Sequence, residues 1–182
     1  MTRHLASLSL AAACLAVTAA AVVAQPGADP ESPQFLSHVA AELATLHRVT
    51  AEPHPMDDST VTACVPNYNP KIHEGELQPA YCHVYVTADA RAPIESGEGS
   101  YREGAVIVKA KLESAEAEGA ILYTVMRKMA AGYDPEHGDW EYAVLDGTNK
   151  RVLSRGRIDS CIECHRHYAE TDFVTRSYLK QE

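Results

Sequence analysis

The chain has 182 residues, 46% of them hydrophobic and 23% charged, with a formal net charge of -9 at pH 7. That length suits one domain with a real core. The acidic surplus argues against a nucleic-acid partner, because the phosphate term that dominates such affinity would be repulsive.

The first residues read as an export signal. Arg3 supplies positive charge, residues 5–23 are an almost uninterrupted apolar stretch, and Val22-Val23-Ala24 suits a small-residue cleavage site before Gln25. Residues 1–24 are therefore expected to be a cleaved signal peptide that sends the protein to the periplasm. An uncleaved anchor is the alternative, since the apolar run approaches the length of a spanning helix. Cys14 follows three alanines, but apolar residues continue beyond it, unlike the polar start of a mature lipoprotein. Residues 25–31, rich in Pro, Gly and Asp, read as a flexible lead-in to a single domain over residues 32–182.

Ser32-Pro33 looks like a helix start, with a serine cap and proline at the first helical position. Phe35, Val39, Leu43 and Leu46 then fall on one helical face, which predicts a helix to about residue 47 that packs on something apolar. Residues 52–58 hold two prolines and read as a loop. The pattern then switches to the strand period. Residues 81–87 are β-prone, and residues 105–112 alternate: Val106, Val108, Ala110 and Leu112 share one face, Ala105, Ile107, Lys109 and Lys111 the other. Residues 120–129 form another β-like run, followed by a loop through Gly132 and Gly138. Residues 140–145 and 150–153 flank Asp146-Gly147-Thr148-Asn149, a hairpin signal because Asp-Gly tolerates the positive backbone dihedrals of a tight turn. After Cys161 there is room for a terminal helix or tail, with Tyr168, Phe173 and Tyr178 as packing residues. The expected class is α+β: mainly antiparallel β-sheet, with an N-terminal helix and a C-terminal helix or tail.

Cys161-Ile162-Glu163-Cys164-His165 has the spacing of c-type haem attachment, in which two thiols add to the two vinyl groups and the next histidine faces the iron. A zinc half-site would need a second ligand pair, and Cys64 and Cys82 lie far apart without repeating the gap. A thioredoxin-type pair belongs at the head of a helix inside a βαβ unit, and a Cys161–Cys164 disulfide would close a short, strained loop. The motif therefore predicts one covalent haem c held by Cys161 and Cys164 and ligated by His165. In an oxidising compartment Cys64 and Cys82 are expected to form a structural disulfide, with a thiolate iron ligand as the alternative.

The C-terminal half resembles the cytochrome P460 family, whose relatives include cytochrome c′-beta. Glu103-Gly104-Ala105-Val106-Ile107-Val108-Lys109 is similar to the family's glycine-to-lysine strand, and Gly138-Asp139-Trp140-Glu141-Tyr142 to its Gly-Asn/Asp-Trp segment. Cys161 to His165 matches the haem site, and Asp172-Phe173-Val174 the short block after it, in the same order along the chain.

This resemblance implies a mostly antiparallel β fold around a five-coordinate haem, with an open face for a small nitrogen compound or diatomic gas. A low-spin carrier would need a sixth ligand, usually a methionine downstream, and no methionine follows Met129. Met126 and Met129 read as core. In the family's hydroxylamine-oxidising branch the lysine matching Lys109 is joined covalently to the macrocycle; the alternative is an ordinary lysine on a solvated strand face shared with Lys111. Active relatives also carry a distal carboxylate shortly before the first haem cysteine. No acid falls cleanly there; Asp159 is the nearest candidate, and His83 is a candidate for a distal basic residue. The resemblance thus implies an oxidoreductase acting on hydroxylamine or nitric oxide and passing electrons to a periplasmic acceptor. The alternatives are a non-catalytic carbon monoxide or nitric oxide binder and an electron carrier. Homodimerisation is implied by the family alone.

Overall fold

The computed structural model describes residues 41–56, 80–148 and 151–179. The export signal, Cys14, the lead-in, the helix start at Ser32-Pro33, Phe35, Val39 and Cys64 lie outside them, so the Cys64–Cys82 pairing does too.

Residues 41–45 are helical (α1). Short strands β1 (His47–Arg48) and β2 (His54–Met56) follow, then β3 (Ala80–Val86). A 3₁₀ turn, Ala88–Ala90, leads into α2 (Arg91–Ser96). The remaining strands are β4 (Val106–Leu112), β5 (Leu122–Lys128), β6 (Trp140–Asp146) and β7 (Val152–Gly156). The chain then forms α3 (Asp159–His165), continued by a 3₁₀ segment, Arg166–Thr171. The seven strands make one sheet in the order β1-β3-β4-β5-β6-β7, with β2 beside β1 on the outer edge of β3. Every pairing is antiparallel, and β4 to β7 follow one another in space as in sequence. The α+β class predicted from the hydrophobic periods is the one observed.

Both faces of this sheet are apolar, because residues of alternating parity along each strand bury against different partners. On one face Val84, Ile107, Met126, Trp140 and Tyr142 pack with Ile94 of α2 and with Val174 and Tyr178 of the C-terminal segment; Cys161 and Ile162 of α3 join them. On the other face Val106, Val108, Val125, Ala143, Leu145 and Val152 pack with Leu43 and Leu46. Fully buried side chains such as Ile94 and Leu145 each contribute about 1.5–3 kcal/mol of hydrophobic stabilisation. The structure therefore has two cores separated by one sheet.

Two sequence expectations change, and one open alternative closes. The first helix ends before residue 47, because His47 and Arg48 pair with Val86 and Tyr85 instead. The predicted loop over residues 52–58 contains β2, which exists only by pairing with the edge of β3. The face of β4 that bears Lys109 and Lys111 is not solvated: Lys111 is 4% exposed, and Ala105 and Ile107 on the same face are buried. Helix α3 and the C-terminal segment cover it.

Candidate haem site

Helix α3 begins after Ile158, an extended residue whose carbonyl accepts from the N–H groups of Cys161 (2.9 Å) and Ile162 (3.0 Å). The i, i+3, i+4 spacing sets Cys161, Cys164 and His165 on one helical face. That face closes a 170 Å³ cavity against the sheet, with Val84, Ile107, Lys109, Thr124, Met126 and Tyr142 on the sheet side and Tyr168 and Tyr178 at the C-terminal side.

His165 Nδ1–H donates to the carbonyl of Phe173 at 2.7 Å. That bond fixes the tautomer and leaves Nε2 with its lone pair for a metal. Burial pushes the imidazole down to about 4, opposed by the Phe173 hydrogen bond and assisted by the Lys109 charge, so it is neutral near pH 7. Neutral imidazole is the form that binds iron.

The acceptor is itself held firmly. Asp172 (φ 52°) and Phe173 (φ 64°) are both left-handed, a conformation that side-chain-bearing residues rarely adopt. Lys128 Nζ donates to both Asp172 carboxylate oxygens at 2.6 and 2.7 Å, and Tyr101 N–H donates to one of them at 2.9 Å. The Trp140 indole N–H donates to the Asp172 carbonyl at 2.8 Å. Gly138 (φ 73°) leaves room for the Phe173 ring, since a Cβ there would come within 2.5 Å of it.

Tyr142 stands beside the histidine, with ring centroids 5.4 Å apart. It is 2% exposed, and its hydroxyl alone among the described buried side-chain polar atoms lacks a hydrogen-bond partner. Burial, then the neighbouring Cys161, push its phenol above the ordinary range. A buried hydroxyl left unsatisfied costs about 1–3 kcal/mol, which an occupant bearing an acceptor would recover.

Of the residues singled out in the sequence, Cys161, Cys164, His165 and Lys109 come together on this cavity. Lys109 Nζ lies 5.8 Å from the centroid of the Tyr178 ring. His83 and Asp159 do not join them. His83 projects from the opposite face of the sheet, where Nδ1 is 2.9 Å from Thr50 Oγ1, and it borders a separate cleft with Tyr85 and Ala110. Alternation along β3 is the reason: Cys82 and Val84 face the cavity side, so His83 cannot. Asp159 is exposed in the first turn of α3, where a carboxylate complements the helix dipole. Sequence reasoning missed Tyr142 and the Asp172 network as site features, although both lie in the segments that carried the family resemblance. For Tyr142, its position two residues after a buried tryptophan on the same strand face was the available signal.

These residues fit an iron porphyrin: a neutral imidazole with an available nitrogen, two thiols on the same helical face, and an unsatisfied donor in the cavity wall. Among the described residues no three or more His, Cys, Asp or Glu side chains converge as they would around a bare metal ion. No curated protein matches the chain. Residues 59–176, well over half of its length, match the cytochrome P460 family. The chain belongs to that family and is a c-type haem cytochrome.

Proposed function

We propose that this is a periplasmic cytochrome carrying one haem, covalently held by Cys161 and Cys164 and ligated by His165, that oxidises hydroxylamine or nitric oxide and delivers electrons to a periplasmic acceptor. The observation that carries this reading is the meeting of Lys109 with the haem-attachment helix on one cavity. When bound, the haem would supply the iron that takes the small molecule and the redox chemistry.

The chain supplies the rest. The two thiols would hold the porphyrin, burial keeps the His165 imidazole neutral, and the Phe173 carbonyl orients it. Lys109 brings an amine to the cavity, where the family's cross-linking branch joins it to the macrocycle. Tyr142 offers its hydroxyl proton to an acceptor carried by the occupant. Steady-state oxidation of hydroxylamine with an artificial electron acceptor tests the proposal; complete inertness of fully haem-loaded protein would remove the catalytic claim.

One observation favours a second reading, capture of nitric oxide or carbon monoxide without turnover. Among the described residues no Asp or Glu lines the cavity, so a carboxylate route for protons released by oxidation is missing there. Tight gas binding by protein that does not turn over hydroxylamine would decide for this alternative.

A further inference from the structure

We propose that Lys128, Asp172 and Trp140 form a clamp whose purpose is to position the haem ligand. They hold the Phe173 carbonyl as a rigid acceptor for His165 and so tune how strongly that imidazole donates to iron. The inference rests on the haem reading above and adds residues that lie outside the cavity lining.

The case starts from the backbone. Two successive residues with side chains occupy the left-handed region, although glycine would adopt it without steric penalty. A bend needed only for chain reversal would be met by glycine or asparagine. Here the first residue is an aspartate whose carboxylate is a hub, receiving both bonds from Lys128 and one from the Tyr101 N–H. The ion pair is largely withdrawn from water, with side chains 12% and 14% exposed. A pair so placed is poor evidence for stability alone, because desolvation offsets much of its attraction, but it fixes geometry well.

The clamp is mounted on the sheet. Lys128 ends β5 and Trp140 begins β6; they are register partners, and Lys128 Nζ lies 4.9 Å from the centroid of the Trp140 ring. Trp140 is fully buried and donates to the Asp172 carbonyl, so the bend is gripped through both its side chain and its backbone. One residue on, the Phe173 N–H donates to the Tyr168 carbonyl at 2.8 Å, while the Phe173 carbonyl accepts from His165. The strained bend and the ligand's hydrogen bond are thus one unit. A fixed carbonyl acceptor on Nδ1–H locks imidazole rotation and raises the basicity of Nε2, which strengthens donation to the metal. Loosening the clamp should weaken that donation without touching any group in the cavity.

The experiment uses haem-loaded full-length protein and compares the parent with Lys128→Met, Lys128→Arg and Trp140→Phe. The readouts are the iron–histidine stretching frequency of the ferrous form, the midpoint potential and thermal unfolding. Lys128→Met should lower the frequency and raise the potential, Lys128→Arg should restore most of both, and Trp140→Phe should shift them in the same direction by less. Unchanged frequency and potential in the Met and Phe variants, even with a lower unfolding temperature, would make the network purely structural and overturn the inference. If Lys128→Met does not accumulate with haem, Trp140→Phe decides alone on the same criteria. A parent protein that never acquires haem would instead sink the functional reading on which this one stands.

Discussion

The two faces of the sheet are both buried, yet they treat polar groups differently. On the face packed by α1, charged and imidazole side chains are paired: Arg127 with Glu42 at 2.8 Å, Arg155 with Glu141 at 2.9 Å, and His83 with Thr50 at 2.9 Å. The face covered by α3 carries the unpartnered Tyr142 hydroxyl, Lys109, and the consecutive left-handed residues Asp172 and Phe173. Unsatisfied donors and backbone strain persist only where the surroundings enforce them, and they concentrate at functional sites. The contrast separates a face built for stability from a face built around an occupant.

The strongest way to break that contrast is to remove the attachment chemistry. Replacing both Cys161 and Cys164 with serine should abolish covalent haem, seen as loss of the haem mass increment and of the pyridine haemochrome spectrum. Retention of the mass increment would mean that attachment lies elsewhere. Next comes Lys109→Ala, which should move the absorption spectrum of the holoprotein and lower hydroxylamine turnover by an order of magnitude or more, about 1.4 kcal/mol per tenfold step. An unaltered spectrum and an unaltered cross-link mass would dismiss the lysine's role while leaving the haem itself in place.

The opposite face should respond in stability alone. Glu141→Ala removes the two oxygens that accept from the Arg155 guanidinium at 2.9 and 3.2 Å, in a site where the pair's side chains are 9% and 11% exposed, so a loss of about 3 kcal/mol is expected in denaturant unfolding. The haem spectrum should stay fixed, and a shifted spectrum would show that the two faces are coupled. Tyr142→Phe is the smaller, converse test. Haem-free polypeptide should gain about 1 kcal/mol, because an unsatisfied buried hydroxyl is removed there, while holoprotein should lose about 1 kcal/mol. Equal effects on both forms would mean that the occupant does not use this donor.

Much of this division was legible in the sequence. Alternation along residues 105–112 grouped Lys109 with Ile107 correctly, because strand parity is a local property. That the group faces a cavity and not solvent was not legible, since it depends on α3, distant in the sequence, folding back over the sheet onto Lys109. Strands β1 and β2 escaped notice for a related reason: two- and three-residue segments carry no period, and only the edge of β3 makes them strands. Helix α2 buries a single residue, Ile94, too little for an amphipathic signal. That Cys161, Cys164 and His165 share one face was readable because their spacing is local to a single helix. The Asp172 clamp was not, because its members come from β5, β6, the segment before β4 and the bend itself.

The smallest effect is expected at His83, and it tests parity directly. Its side chain leaves the sheet on the α1 side, and Thr50 Oγ1 both meets its Nδ1 and accepts the Val84 N–H at 3.1 Å. Burial first, then the charge of Arg48, hold its pKa below 6.5, so the folded protein keeps the neutral ring. A depressed histidine makes the unfolded state the better proton binder as pH falls through 6.5, and stability must decline in that window. His83→Gln retains a hydrogen-bonding group but cannot titrate. At pH 7 it should change stability by no more than about 0.5 kcal/mol and leave gas binding and turnover alone, while the acid-side decline measured on holoprotein becomes shallower. A marked loss of turnover with an unchanged unfolding profile would restore His83 to the proton path and erase the distinction between the two faces.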